Sequence, residues 1–130
     1  MKRCTYLLAL ILLLLAPTVT MAQNAEWKMM HEGNAAFRSR NFEKAQSLYM
    51  KVLKRNPKNA RALFNLADTY LAKGDAKLAD SLFTQAAQHE RNPQVKSMAF
   101  HNRGYIRQTA ALHDQQNQQQ LLRQAIEQYK

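Results

Sequence analysis

Residues 60–87 read Ala60-Arg61-Ala62-Leu63-Phe64-Asn65-Leu66-Ala67-Asp68-Thr69-Tyr70-Leu71-Ala72-Lys73-Gly74-Asp75-Ala76-Lys77-Leu78-Ala79-Asp80-Ser81-Leu82-Phe83-Thr84-Gln85-Ala86-Ala87. Leu63, Leu66, Ala67, Tyr70 and Leu71 fall at i, i+3, i+4, i+7 and i+8, the apolar stripe of an amphipathic helix. Leu78, Ala79, Leu82, Phe83, Ala86 and Ala87 form a second stripe of the same period. Lys73-Gly74-Asp75 interrupts the pattern and supplies a turn. Neither helix can bury its apolar face alone, so the two must pack as a hairpin and the hairpin must find neighbours. With three glycines, three prolines and no strand-type alternation, the chain beyond its leader reads as helical throughout.

Comparing the chain with itself extends this reading. Ala45, Ser47, Leu48 and Tyr49 recur as Ala79, Ser81, Leu82 and Phe83, at a fixed shift of 34 residues. That is the period of tetratricopeptide repeats, and the residues themselves resemble that family. In the second repeat, 60–93, the family's places hold Leu63, Leu66-Ala67, Tyr70, Ala79 and Phe83. In the first, 26–59, they hold Met29, Glu32-Gly33, Ala36, Ala45, Tyr49 and Pro57, with Glu32 and Ala36 departing from the pattern. Small residues at Gly33, Ala67 and Gly104, and at Ala45, Ala79 and Ala125, are expected where paired helices approach closely. The resemblance implies an all-α fold, a right-handed α-solenoid of helix-turn-helix repeats.

A third repeat, 97–130, opens with Phe100, Arg103-Gly104 and Arg107 and resumes at Leu121-Leu122 with Ala125 and Tyr129. The polar stretch 108–120 between them is an insertion, expected to form helix extensions plus a loop with Asp114 as an N-cap. No capping helix follows Tyr129-Lys130, so the array is expected to be incomplete at its C-terminus.

The N-terminus has a different character. Met1-Lys2-Arg3 precedes an apolar run from Tyr6 to Ala16, too short for the roughly 20 residues that span a bilayer and the right length for a secretory signal. Ala22 marks the expected cleavage site, giving a leader of residues 1–22 and a repeat domain of residues 23–130. An uncleaved anchor in the inner membrane is the alternative. Cys4, the only cysteine, precedes the apolar run, so neither a lipid anchor nor a disulfide is expected in the exported part. Loss of Lys2 and Arg3 takes the formal net charge from +10 to +8 (10 minus 2). This basic balance favours acidic protein partners or an anionic surface, and export argues against nucleic acid.

No constellation for catalysis stands out. His31, His89, His101 and His113 lack metal-ligand spacing, and there is neither a glycine-rich phosphate loop nor a nucleophile elbow. An enzyme, a cofactor, a metal and a small-molecule substrate are therefore not expected, and the partner is expected to be another protein. By resemblance to the family, the ligand face comes from the first helix of each pair. The residues named for it are Asn34, Phe37 and Arg38 in the first repeat, beside Met30, and Arg61, Phe64, Asn65 and Asp68 in the second, beside Ala72. The two phenylalanines could equally be packing residues. One subset of the family clamps C-terminal carboxylates with lysine, asparagine and arginine. Asn34 and Asn65 match its asparagines, but Met30, Met98 and Asn102 stand where its cations would be, so carboxylate-clamp binding is not expected.

The leader, the small helical repeats and the Phe100-His101-Asn102 opening ahead of a Gln-rich insert resemble exported repeat proteins of the Bacteroides aerotolerance (Bat) group. That resemblance implies an envelope scaffold working beside membrane-anchored von Willebrand A-type proteins in stress or oxygen tolerance. An envelope-biogenesis or secretion adaptor and a peripheral protein held by charge on anionic lipids or polymers are the alternatives. Mass spectrometry of the native protein is expected to show loss of the first 22 or 23 residues; an intact Met1 would refute the cleaved leader and the periplasmic location with it.

Overall fold

A computed structural model describes Met21 and residues 23–128; residues 1–20, most of the expected leader, lie outside them, as do Ala22 at its cleavage site, Tyr129 and Lys130. The described residues form five helices: α1 (23–38), α2 (Phe42–Arg55), α3 (Ala60–Ala72), α4 (Ala76–His89) and α5 (Pro93–Gln128). No strand occurs among them. The chain divides into two compact units, one ending at Pro57 and the other starting at Lys58. Among the described residues no helix is long and apolar enough to cross a membrane.

In the first unit, α1 and α2 form one hairpin. The backbone N–H of Asn41 donates to the Ala36 carbonyl and that of Arg40 to the Phe37 carbonyl, the paired bonds of a Schellman cap. This cap places Arg40 at φ 60, in the left-handed region. Asn41 then starts α2, its side chain accepting from the Lys44 N–H at 3.2 Å. Glu43 in the first turn of α2, and Lys54 and Arg55 in the last, match the helix dipole. Ala36, Ala45, Leu48, Tyr49 and Val52 are buried, and Gly33 lies under the Tyr49 ring. A Cβ on Gly33 would come within 2.7 Å of Tyr49 Cε1.

The second unit repeats these devices. Gly74, at φ 90, takes the left-handed position after α3, with Gly74 N–H donating to Leu71 and Asp75 N–H to Tyr70. Asn59 and Asp75 cap α3 and α4, accepting from Ala62 N–H at 3.1 Å and Leu78 N–H at 3.0 Å. Leu63, Leu66, Ala67, Ala79, Leu82, Phe83, Ala86 and Ala87 make the core between these helices. Leu78, at the start of the second stripe, stays largely exposed. Burying Thr69 costs no unmet hydrogen bond because its Oγ1 donates to the Asn65 carbonyl at 2.8 Å. After α4, the Glu90 carboxylate accepts from Arg91 and Asn92 N–H, and Asn92 accepts from Gln94 N–H. Pro93 then stands at the first position of α5, where its missing N–H has no cost.

The third repeat departs from expectation. α5 runs without a break for 36 residues, so 108–120 is helix and not a loop, and Asp114 lies mid-helix instead of at an N-cap. The reason is local: no glycine or proline follows Gly104, and glutamine, leucine, alanine and arginine all support a helix. Ala99 and Ile106 pack on α4, whereas residues 107–128 are exposed. The segment beginning at Leu121 therefore does not fold back as the partner helix of the repeat. Gly104 was expected at a close helix contact, yet a Cβ there would meet nothing within 4 Å, and Ala125 is exposed.

The two helical glycines thus predict opposite outcomes. Gly33→Ala should destabilise by about 1–2 kcal/mol, because the buried Tyr49 ring must shift. Gly104→Ala should leave stability unchanged or raise it by up to about 1 kcal/mol through helix propensity alone. Urea denaturation of both variants checks the contrast.

Candidate binding surface

The second unit carries a polar and apolar surface built from two helices. Arg61, Asn65 and Asp68 recur at i, i+4 and i+7 on α3 and share one side of it. Met98, Asn102 and Tyr105, each 37 positions further on, have the same spacing on α5. The two rows meet where Asn102 Nδ2 donates to Asp68 Oδ1 at 3.3 Å. Arg61, Met98 and Tyr105 are exposed, while Asn65, Asp68 and Asn102 are half-buried between them.

Burial raises the Asp68 carboxyl from its ordinary 3.8 to about 6. The Asn102 amide gives it one donor, which compensates only part of the lost hydration. On a different side of α5, Arg103 Nε donates to Asp80 Oδ1 at 2.9 Å, and Arg107 lies 3.9 Å from the other Asp80 oxygen. The Arg103 guanidinium also sits 5.9 Å above the Phe100 ring. Asp80 is thus the anchor on α4 that fixes how α5 lies, and through α5 where Met98, Asn102 and Tyr105 stand.

The residues expected at a ligand face divide into those that line a surface and those that also support the interior. Arg61, Asn65 and Asp68 share the exposed side of α3. Phe64 is half-buried with its ring edge-on to Phe83, centroids 5.2 Å apart, so it belongs in part to the interior of the hairpin. In the first unit, Asn34 accepts from the Tyr49 hydroxyl at 2.7 Å, Phe37 meets Phe42 edge-on at 5.5 Å, and Arg38 is exposed. The expectation named Met98 and Asn102 only as standing at the places of a clamp's cations, and did not include Tyr105. The 37-residue offset between the second and third repeats would have revealed them, since it places each opposite a residue already named. Among the described residues no group of three or more histidine, cysteine, aspartate or glutamate side chains could hold a metal.

Comparison with known proteins agrees with this architecture. Residues 31–94 match the model of the tetratricopeptide repeat family, a span covering both complete helix pairs from His31 onward. Residues 31–94 therefore resemble tetratricopeptide repeats, and the helical repeat fold agrees with that likeness. Twenty-five solved chains match it. One is described as the second TPR of Spaghetti (RPAP3) bound to the HSP90 peptide SRMEEVD, with a TM-score of 0.60 and 24% identity over 76% of this chain and 91% of that one. No curated protein matches the sequence.

Asp68 gives a testable pH dependence. Its folded-state pKa lies above its unfolded value, so the folded state binds more protons between about pH 4 and 6, and stability contributed by the protonated form is lost as pH rises through about 6. Asp68→Asn should match wild-type stability near pH 4.5 and exceed it near pH 7.5, as roughly bracketed by these two values. Denaturation midpoints at the two pH values check this, and an equal wild-type and variant midpoint at the higher pH would refute it.

Proposed function

We propose that the protein is a non-enzymatic scaffold of the bacterial envelope that binds a segment of another protein across the rows on α3 and α5. The supporting observation is the Asp68–Asn102 hydrogen bond, which ties the first helices of two successive repeats side by side. It turns two separate rows of side chains into one surface with a cation at Arg61 and two exposed apolar anchors at Met98 and Tyr105. Aromatic and arginine side chains dominate affinity at such surfaces because they combine contact area with directed hydrogen bonds. The related TPR structure bound to a peptide supports a peptide segment as the ligand class. Here Met98 and Asn102 replace the cations of a carboxylate clamp, so the ligand is an internal segment with an acidic group near Arg61 instead of a chain terminus.

The leader supports export to the periplasm, and the net charge, +8 once Lys2 and Arg3 are removed from +10 (10 minus 2), supports a partner with acidic character. Resemblance to the Bat group supports a membrane-anchored von Willebrand A-type protein as that partner and stress or oxygen tolerance as the context. Affinity capture from envelope extracts tests the reading. Arg61→Ala combined with Tyr105→Ala should weaken capture of the dominant partner by at least about 2 kcal/mol with unchanged helical circular dichroism, since neither side chain is buried. Undiminished capture would place the partner on another face.

A further inference from the structure

One stripe of α5 meets α4 only along a flank, where Phe100 borders a cavity with Thr84 and Ala87 and Arg107 reaches Asp80, and the rest of it is exposed. Phe100, Gly104, Ala111, Gln118, Leu121 and Ala125 recur along it in steps of three, four or seven, the seam spacing of a two-helix coiled coil. Phe100 is 51% and Leu121 64% exposed, and nothing lies within 4 Å of a Cβ on Gly104. In sequence this seam holds both halves of one repeat, yet the straight helix holds the halves apart, so they cannot meet within one chain.

We propose that a second copy of this chain pairs with α5 in antiparallel orientation, each copy supplying the helix that the other's third repeat lacks. The pattern itself selects this occupant. Reversing α5 about a point between Leu112 and His113 sets Phe100 opposite Ala125 and Gly104 opposite Leu121, so a large side chain meets a small one at these outer layers, while Ala111 faces Asp114. The polar middle meets itself, with Arg107 opposite Gln118 and one helical turn from Asp114 of the other copy. Such a seam is self-complementary, as a two-fold interface requires. Electrostatics permit it as well: from Phe100 to Gln128 the charged residues are Arg103, Arg107 and Arg123 against Asp114 and Glu127, a balance of +1 where the whole chain carries +10. The pairing is independent of the α3 and α5 ligand surface, because Met98, Asn102 and Tyr105 lie on another side of the helix.

Sedimentation of the purified full chain across a wide concentration range should show a monomer–dimer equilibrium. Leu121→Lys enters a two-fold interface twice and should weaken dimerisation roughly a hundredfold, whereas Gln116→Lys, on the far side of α5, should not. Because Leu121 is exposed, neither change disturbs the packing of one chain. Cysteine cross-linking fixes the orientation. In a Cys4→Ser background, an oxidised mixture of Gly104→Cys and Leu121→Cys chains should yield disulfide-linked pairs of one variant with the other. The two positions are about 25 Å apart along one helix, so no single chain can make that bond. A monomer at every concentration, a dimer indifferent to Leu121→Lys, or cross-links only between identical variants would overturn the proposal.

Discussion

The architecture depends on how closely two helices of a pair can approach. In the first hairpin that distance is set by Gly33 beneath the Tyr49 ring, a contact in which no side chain on Gly33 would fit without movement. Ala45 and Ala79, both fully buried, play the corresponding part on the second helices. Once the backbones are that close, the remaining positions follow, since Leu48, Val52, Leu63, Leu66, Leu82 and Phe83 fill the only space left. A repeat of this kind holds its shape through small residues at a few fixed places more than through the total apolar area it buries.

In the third repeat no helix folds back onto α5 among the described residues. α5 still docks, because the side facing the preceding repeat is served by Ala99 and Ile106 and by the Arg103–Asp80 pair. The side that would face its own partner stays open, and with it Gly104 loses its packing role. An arginine pair takes over an orienting task that apolar contact performs elsewhere in the molecule. Asp80 is only partly exposed, so that pair is stronger than a surface ion pair and gives α5 a defined direction.

Much of the fold is legible in the sequence because the repeat pattern states it twice. Ala45 and Ala79, Tyr49 and Phe83, and Asn41 and Asp75 occupy equal places and do equal work, as the 34-residue shift requires. The third repeat was misread because the family pattern contains a turn, and Leu121-Leu122 and Ala125 fit the place after it. The stretch between has no residue that terminates a helix, and that local chemistry prevailed over the global pattern. The candidate surface is half legible. Arg61, Asn65 and Asp68 follow from helix geometry on α3, and the 34-residue period itself pairs Asp68 with Asn102, but Met98 and Tyr105 need an offset of 37.

Arg40 and Gly74 occupy the same turn of successive repeats, 34 positions apart, with the same left-handed backbone. Glycine holds that conformation at no steric cost, whereas a residue with a side chain loses roughly 1 kcal/mol in it. The two hairpins are therefore unequal in resistance to local opening, the α1–α2 turn being the easier to release. Helical arrays come apart unit by unit along their length, so this difference gives the molecule a preferred end from which to fray. The α1–α2 pair then yields first to a protease or a chaperone, while the pair bearing the α3 row keeps its form.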